Sequence, residues 1–180
     1  MNPWHDIKRD RIKPERFWAM IEISKGSKNK YELDKETGRL KLDRVLFTST
    51  HYPQNYGFIP LTYSRDYDPL DVLVLCSEDI LPLAFVECKP IGILTMTDNG
   101  LPDDKIIAVA VSDPFYQNYN DISEIPEHVM AEIKHFFSVY KTLEYKDTSV
   151  DEFSGHEEAE KIIKEALEDY NKTILPYLKG

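Results

Sequence analysis

Cysteine is scarce in this sequence: Cys76 and Cys88 stand alone, twelve positions apart. That spacing is neither a C-x-x-C pair nor a zinc knuckle, which excludes a disulfide framework and a thiolate metal site; both thiols are expected reduced in the core. Long apolar runs are missing too. The most hydrophobic stretch, Ile80 to Val86, contains Pro82 and falls far short of the roughly 20 residues a membrane span needs. The amino end meets Lys8, Arg9, Asp10 and Arg11 with no signal-like apolar core following, so a soluble cytoplasmic protein is expected. Positive charge is in deficit, with 22 Lys plus Arg against 32 Asp plus Glu and a net charge of -10. Such a chain repels phosphate backbones and anionic lipid at long range, which argues against nucleic acid or membrane as a main partner. An anionic substrate must be drawn in by local cations.

What is present describes one globular domain over 1–180. At 42% hydrophobic and 30% charged residues the chain is not disordered, and its length builds a core without a disulfide or metal staple. Phe17 to Ile23 reads as a core strand before the Gly26-Ser27 turn. Lys30 to Asp34 and Arg39 to Val45 alternate in polarity around Thr37-Gly38, a hairpin with one wet face. Val72 to Cys76, Val86 to Met96 and Ile106 to Val111 are further strands, about six in all. Helical periodicity comes late. From Pro126, Val129, Met130, Ile133, Phe136, Phe137, Tyr140 and Leu143 recur at steps of three and four, and a second helix is expected to open at Ser154 with Glu157 closing a capping box. Strands first and helices afterwards predict an α+β, mainly β fold, a curled antiparallel sheet or small barrel with helices packed on it rather than alternating βαβ units.

The densest chemical signal is Asp66-Tyr67-Asp68-Pro69-Leu70-Asp71, just ahead of a buried strand. Asp66 and Asp68 share a face in an extended segment, and Pro69 bends the chain so that Asp71 turns back toward them. A second cluster, Asp98, Asp103 and Asp104, flanks Asn99 to Pro102, and Lys105 closes it. Two charges about 5 Å apart at an effective dielectric of about 20 repel by roughly 3 kcal/mol, so converging carboxylates call for counter-charge. Oxygen-only donors favour Mg²⁺ or Mn²⁺ over Zn²⁺. A calcium loop is excluded, because its sixth and twelfth positions hold Asp71 and Ser77 instead of Gly and Glu. The acids precede their strand instead of following it, which disfavours an aspartyl-phosphate nucleophile. A lone acidic triplet is equally compatible with a solvated turn. The counterweight is a set of cations and phenols, Lys30, Arg44, Lys105 and Lys141 with Tyr52, Tyr56 and Tyr140. Acids that hold metals and bases that hold anion oxygens are the recurring parts of phosphoryl transfer.

These segments together resemble soluble inorganic pyrophosphatase of the first family, prokaryotic type. The likeness rests on Ile21-Glu22-Ile23, Lys30-Tyr31-Glu32-Leu33-Asp34, Asp43-Arg44, Tyr52 to Gly57, the triple-aspartate run Asp66 to Val72, Met96-Thr97-Asp98 and His135 through Lys141, and it covers about residues 15 to 170. It implies an OB-like five-stranded barrel flanked by two C-terminal helices, and Mg²⁺-dependent hydrolysis of pyrophosphate to two orthophosphates by a metal-bridged hydroxide, without a covalent intermediate. It further implies that Asp66, Asp71 and Asp103 hold the tightest Mg²⁺, that Asp98 and Asp103 hold a substrate-borne metal, and that Asp68 accepts the proton of the attacking water. Glu22 and Glu32 match outer acids, Lys30, Arg44, Tyr56, Lys105, Tyr140 and Lys141 match the groups that grip phosphate oxygens, and Tyr52 lines the same cavity. Prokaryotic members of this family assemble as hexamers, so a homohexamer is implied here. Two positions depart from the pattern: Tyr67, expected to reshape the cavity floor, and Asn99, where an acid is common. Asp103 is favoured over its neighbour Asp104 as the ligand. The alternatives from other classes are a metal-dependent phosphohydrolase acting on nucleotides or polyphosphate, and an OB-like nucleic-acid module whose tyrosines stack bases.

Overall fold

A computed structural model describes residues 1–178. Its strands are β1 (Ile12–Lys13), β2 (Arg16–Ile23), β3 (Asn29–Leu33), β4 (Leu40–Val45), β5 (Asn55–Phe58), β6 (Asp71–Leu75), β7 (Phe85–Asp98), β8 (Leu101–Pro102), β9 (Lys105–Ala110) and β10 (Thr148–Gly155). Helices α1 (Glu127–Val139), α2 (His156–Thr173) and the short α3 (Leu175–Leu178) complete the chain. The main sheet runs β1-β2-β5-β6-β9-β7-β10, and a further pairing of β2 with β7 closes β2, β5, β6, β9 and β7 into a ring. This is the five-stranded ring with C-terminal helices that the resemblance implied. The hairpin of β3 and β4 stands apart as a two-stranded sheet. Among the described residues no helix is long and apolar enough to cross a membrane.

Alternation within the ring explains its near-continuous apolar strands. Val72 and Val74 of β6 and Ile106, Ala108 and Ala110 of β9 join a cluster completed by Ala159, Ile163, Ala166 and Tyr170 of α2. Leu73 and Leu75, with Ile107 and Val109, face the opposite way and join a cluster completed by Ile133, Phe136, Phe137 and Tyr140 at the end of α1. Successive side chains of a strand point to opposite faces, so strands covered on both faces carry no polar alternation. Gly57 is demanded by the closure of the ring, since a Cβ there would lie 1.8 Å from the carbonyl oxygen of Met20 on the paired strand β2.

Several expectations change. β5 and β10 were not legible as strands, and β6 pairs with β9 in parallel instead of antiparallel. Leu143 leaves the helical stripe and is 59% exposed, because α1 stops at Val139 and a 3₁₀ turn, Thr142–Glu144, follows. Cys88 is buried, but Cys76 lies just past β6 and only partly inside. The capping box is absent. Ser154 is taken up by β10, paired opposite Ile93, and α2 starts at His156 behind Gly155. The first amide of that helix finds its acceptor across the chain: Asp121 Oδ1 takes the His156 backbone N–H at 3.0 Å and the His156 ring Nδ1 at 2.8 Å.

The Asp121 contact therefore does the work of an N-cap. The backbone and ring bonds from His156 pull the Asp121 carboxyl below its usual range, and the same ring bond raises His156. Asp121 contributes above about pH 4 and loses its effect as pH falls through its lower folded value. His156 contributes below about pH 6.5 and fades as pH rises through its higher folded value. Asp121→Ala is expected to cost about 1 kcal/mol, most between about pH 4 and 6.5, while Ser154→Ala costs less than about 0.5 kcal/mol. Urea unfolding across that pH range checks both; a larger loss for Ser154→Ala would restore the capping box.

Candidate active site

The parallel register of β6 and β9 sets Asp71 directly beside Lys105, the first residues of their strands. Burial of Ile106 and Leu73 behind them fixes both backbones, and the lysine, 2% exposed, has nowhere else to place its charge. Its Nζ donates to Asp71 Oδ2 at 2.6 Å, to Asp103 Oδ1 at 2.7 Å and to the Tyr56 hydroxyl at 3.0 Å. Asp66 comes from the loop ahead of β6, where its Oδ1 accepts the Asp68 backbone N–H at 3.2 Å. Oxygen atoms of Asp66, Asp71 and Asp103 all lie within 4.8 Å of one another.

Around this centre opens a cavity of about 550 Å³ lined by Glu22, Lys30, Glu32, Tyr52, Tyr56, Asp66, Asp68, Asp71, Asp98, Asp103, Lys105, Tyr140 and Lys141. Strand ends bring these residues together: β2 supplies Glu22, β3 supplies Lys30 and Glu32, β5 supplies Tyr56, and the end of β7 supplies Asp98. Tyr140 and Lys141 follow α1, whose stripe places Phe137 against the cavity as well. Lys141 pairs with Asp98 Oδ2, whose other oxygen is buried without a hydrogen-bond partner.

Electrostatics match this crowding. Burial, then the charges of Asp71 and Asp103, push Asp66 up to about 7. Burial and Asp71 push Glu22 to about 8, although its Oε1 accepts the Leu33 backbone N–H at 2.7 Å. Burial also raises Asp71 against the pull of Lys105, whereas for Asp103 the burial effect is outweighed by Lys105 and its carboxyl drops. Lys105 is raised because Asp103 and Asp71 overcome its burial. Between the ordinary carboxylate range and these raised values the folded chain holds protons that an unfolded one releases, so Asp66 and Glu22 weaken the metal-free fold as pH climbs through that window. A hard cation fits the donor set on two observations: three convergent carboxylates with a single ammonium among them, and the orphaned oxygen of Asp98.

Two placements, those of Arg44 and Tyr67, differ from expectation, and the turn accounts for Asn99. Arg44 does not line the cavity; its Nη1 is held by Asp43 at 2.5 Å and its Nε lies 2.7 Å from Glu144 Oε1. Tyr67 is 66% exposed at φ +69° and lies outside the cavity, its ring 6.5 Å from that of Tyr63, so it does not form the floor. Asn99 and Gly100, at φ +50° and +78°, make the two-residue turn between Asp98 and Leu101, a conformation that favours Asn-Gly over an acid. Asp104 turns away to Arg65 at 2.5 Å, which leaves Asp103 facing the cavity. Lys35 was not singled out from the sequence, yet it lines the cavity and pairs with Asp68. Its only signal is a cation in the hairpin turn five positions after Lys30.

A ring of strands whose ends present clustered carboxylates, ringed by lysines and phenols, defines a hydrolase for a small phosphorylated anion. A sequence profile of the inorganic pyrophosphatase family matches residues 19–171. Similar proteins include soluble inorganic pyrophosphatase 2 of Chlamydomonas reinhardtii, 49% identical over 97% of this chain and 91% of that protein, and soluble inorganic pyrophosphatase PPA1 of Solanum tuberosum, 49% identical over 99% and 84%. The crystal structure of inorganic pyrophosphatase from Thermus thermophilus superposes with a TM-score of 0.91 at 38% identity, covering 95% of this chain and 99% of that one. The chain belongs to the inorganic pyrophosphatase family, hydrolases of pyrophosphate.

Lys105 is the internal counter-ion of the acid cluster. Lys105→Met leaves Asp71 and Asp103 buried without it, and is expected to cost about 3–5 kcal/mol in chelator. Added Mg²⁺ should recover part of that loss; urea unfolding with and without Mg²⁺ decides, and an identical loss in both would mean the acids do not take the cation.

Proposed function

We propose that the chain hydrolyses pyrophosphate with Mg²⁺ held by Asp66, Asp71 and Asp103, with Asp98 and Asp103 serving a second, substrate-borne ion. The observation that carries this reading is the convergence of three carboxylate oxygen sets within 4.8 Å around one ammonium. Bound there, such ions make water a stronger acid and neutralise charge on the leaving phosphate. Asp68 is half-exposed at the cavity mouth, where its carboxylate takes the proton of the attacking water as general base. Lys35 pairs with it there. Lys30, Lys105 and Lys141, with the hydroxyls of Tyr56 and Tyr140, bind and orient the phosphate oxygens from the cavity wall, Arg44 joins them from its place across the hairpin from Lys30, and Tyr52 walls the cavity. Burial raises the Tyr56 and Tyr140 hydroxyls, so at neutral pH both stay protonated and donate. Glu22 and Glu32 hold water in the outer layer. Water attacks phosphorus directly and no acid of the chain becomes phosphorylated.

Base stacking by the tyrosines is disfavoured, since Tyr52, Tyr56 and Tyr140 are buried at 1%, 8% and 4% exposure. A cytoplasmic homohexamer belongs to the same reading, supported by apolar side chains left at the surface such as Leu81, 75% exposed, and Phe47, 60%. Sedimentation would show six-fold mass.

Phosphate release from pyrophosphate should require Mg²⁺ and exceed release from ATP; equal rates in chelator would end the proposal. Asp68→Asn is expected to lower turnover roughly 10²–10⁴-fold with little change in Mg²⁺ affinity. Asp71→Asn should do the reverse in emphasis, weakening Mg²⁺ on the order of tenfold or more by calorimetry. Unchanged Mg²⁺ affinity in the Asp71 variant would remove that residue from the metal site.

A further inference from the structure

Arg44 is the one side chain of the phosphate-gripping set that the cavity does not include, and its neighbours show how it is held. Its cross-strand partner on the hairpin is Lys30, which does line the cavity. On the other side stands Glu144, in the Thr142–Glu144 turn just past Tyr140 and Lys141. The Glu144 side chain is 5% exposed and that of Arg44 18%. Their contact therefore ties the hairpin wall of the cavity to the α1 wall across a hundred positions of sequence.

A buried Arg–carboxylate pair that serves stability alone is expected to close as a two-bond fork, because every unmet donor or acceptor inside the fold is costly. This pair does not close that way. Glu144 Oε1 lies 2.7 Å from Nε, an ion pair without the alignment of a hydrogen bond, Asp43 Oδ2 holds Nη1 at 2.5 Å, and Arg44 Nε and Nη2 and Glu144 Oε2 are all buried with no hydrogen-bond partner. Two carboxylates thus flank the guanidinium, one bonded at Nη1 and one paired by charge at Nε, and Nε and Nη2 both lack a hydrogen bond. Asp43 also reaches Lys30 Nζ at 3.5 Å, so the same alternating charges orient a second cation of the cavity. The left-handed Tyr145, φ +55°, ends the turn immediately after Glu144, a conformation unfavourable for a non-glycine residue that the fold accepts where Glu144 is turned inward.

We propose that Glu144 is the positioning residue for Arg44, its charge at Nε and that of Asp43 at Nη1 holding the guanidinium so that Nη2, the nitrogen paired with neither carboxylate, is the donor left for a phosphate oxygen. Glu144 touches no substrate; it acts through Arg44. The inference rests on Arg44 as a phosphate ligand and adds the residue that makes it one.

The test compares wild type, Glu144→Gln, Glu144→Asp, Arg44→Ala and the Arg44→Ala/Glu144→Gln double variant. Steady-state pyrophosphate hydrolysis with Mg²⁺ is measured alongside calorimetric binding of inorganic phosphate to each Mg²⁺-loaded protein. Glu144→Gln is expected to raise KM and weaken phosphate binding about tenfold each, the scale of one loosened charge-assisted bond, while kcat falls less than about threefold. Glu144→Asp, which keeps the charge, should fall between wild type and Glu144→Gln, and it carries the test if the glutamine variant fails to fold. The double variant should be no worse than Arg44→Ala. The inference is overturned if the two single effects multiply, or if Glu144→Gln lowers Tm with KM and phosphate affinity unmoved. Should wild type release no phosphate from pyrophosphate, the broader reading fails, and phosphate calorimetry still decides the role of Glu144. Active wild type with undiminished phosphate binding in Arg44→Ala would overturn the Arg44 role and this inference together.

Discussion

One ammonium holds together a site that would otherwise repel itself. Lys105 sits among Asp71, Asp103 and the Tyr56 hydroxyl at hydrogen-bond distance and is nearly excluded from solvent. Desolvating that charge is expensive, and only the flanking carboxylates make it tolerable. The acids in turn are expensive without the lysine, as the raised carboxyls of Asp66 and Glu22 record even with it in place. Neither half of the arrangement is stable without the other, so the site is a mutually compensated charge cluster and not a decoration on an independently stable ring of strands.

The fold supplies what that cluster needs, which is rigid backbone at strand ends. β6 and β9 are covered on both faces, their alternate side chains entering two separate apolar clusters, so neither strand can slide or twist to relieve repulsion at its first residue. The long β7 joins β2, β8, β9 and β10 along its length and ends at Asp98. The two helices then divide the labour: α2 seals the cluster away from the site, and α1 ends at it. A one-residue slip of the β6–β9 register would exchange the faces of every side chain on the strand and separate Asp71 from Lys105.

The sequence discloses the chemistry more readily than the geometry. Asp66, Asp68 and Asp71 are conspicuous because three acids beside a Pro interrupt an apolar context, and Lys105 because it opens a strand of β-branched residues. The α1 stripe is periodic enough to place Tyr140. Other features leave no local trace. Asn55 to Phe58 is too short and too mixed to declare itself a strand, and Gly57 within it is required by the carbonyl of Met20, a contact 37 positions away. Ser154 and Glu157 form a faultless capping pattern that loses to a ladder with Ile93, since strand pairing outweighs one side-chain bond. Asp121 assumes the capping role from 35 positions away. Arg44 and Glu144 look like ordinary surface charges until the hairpin and the 3₁₀ turn are brought side by side.

Charge balance also explains how so acidic a chain serves an anionic substrate. Nine carboxylates line the cavity, from Glu22 to Asp103, against five lysines, and the whole chain carries -10. At long range pyrophosphate is repelled, so diffusion is not steered by the protein's own field. In the proposed reading divalent cations would reverse this locally, each adding two positive charges to a low-dielectric pocket where interactions are several times stronger than in water. The cavity thereby discriminates by charge density before it discriminates by shape. A compact polyanion that brings a cation with it would gain most from the transfer, while an extended nucleic acid would have to lay further phosphates against a chain of net charge -10. Selectivity for a small anhydride would then follow from the same excess of carboxylates that raises Asp66 and Glu22.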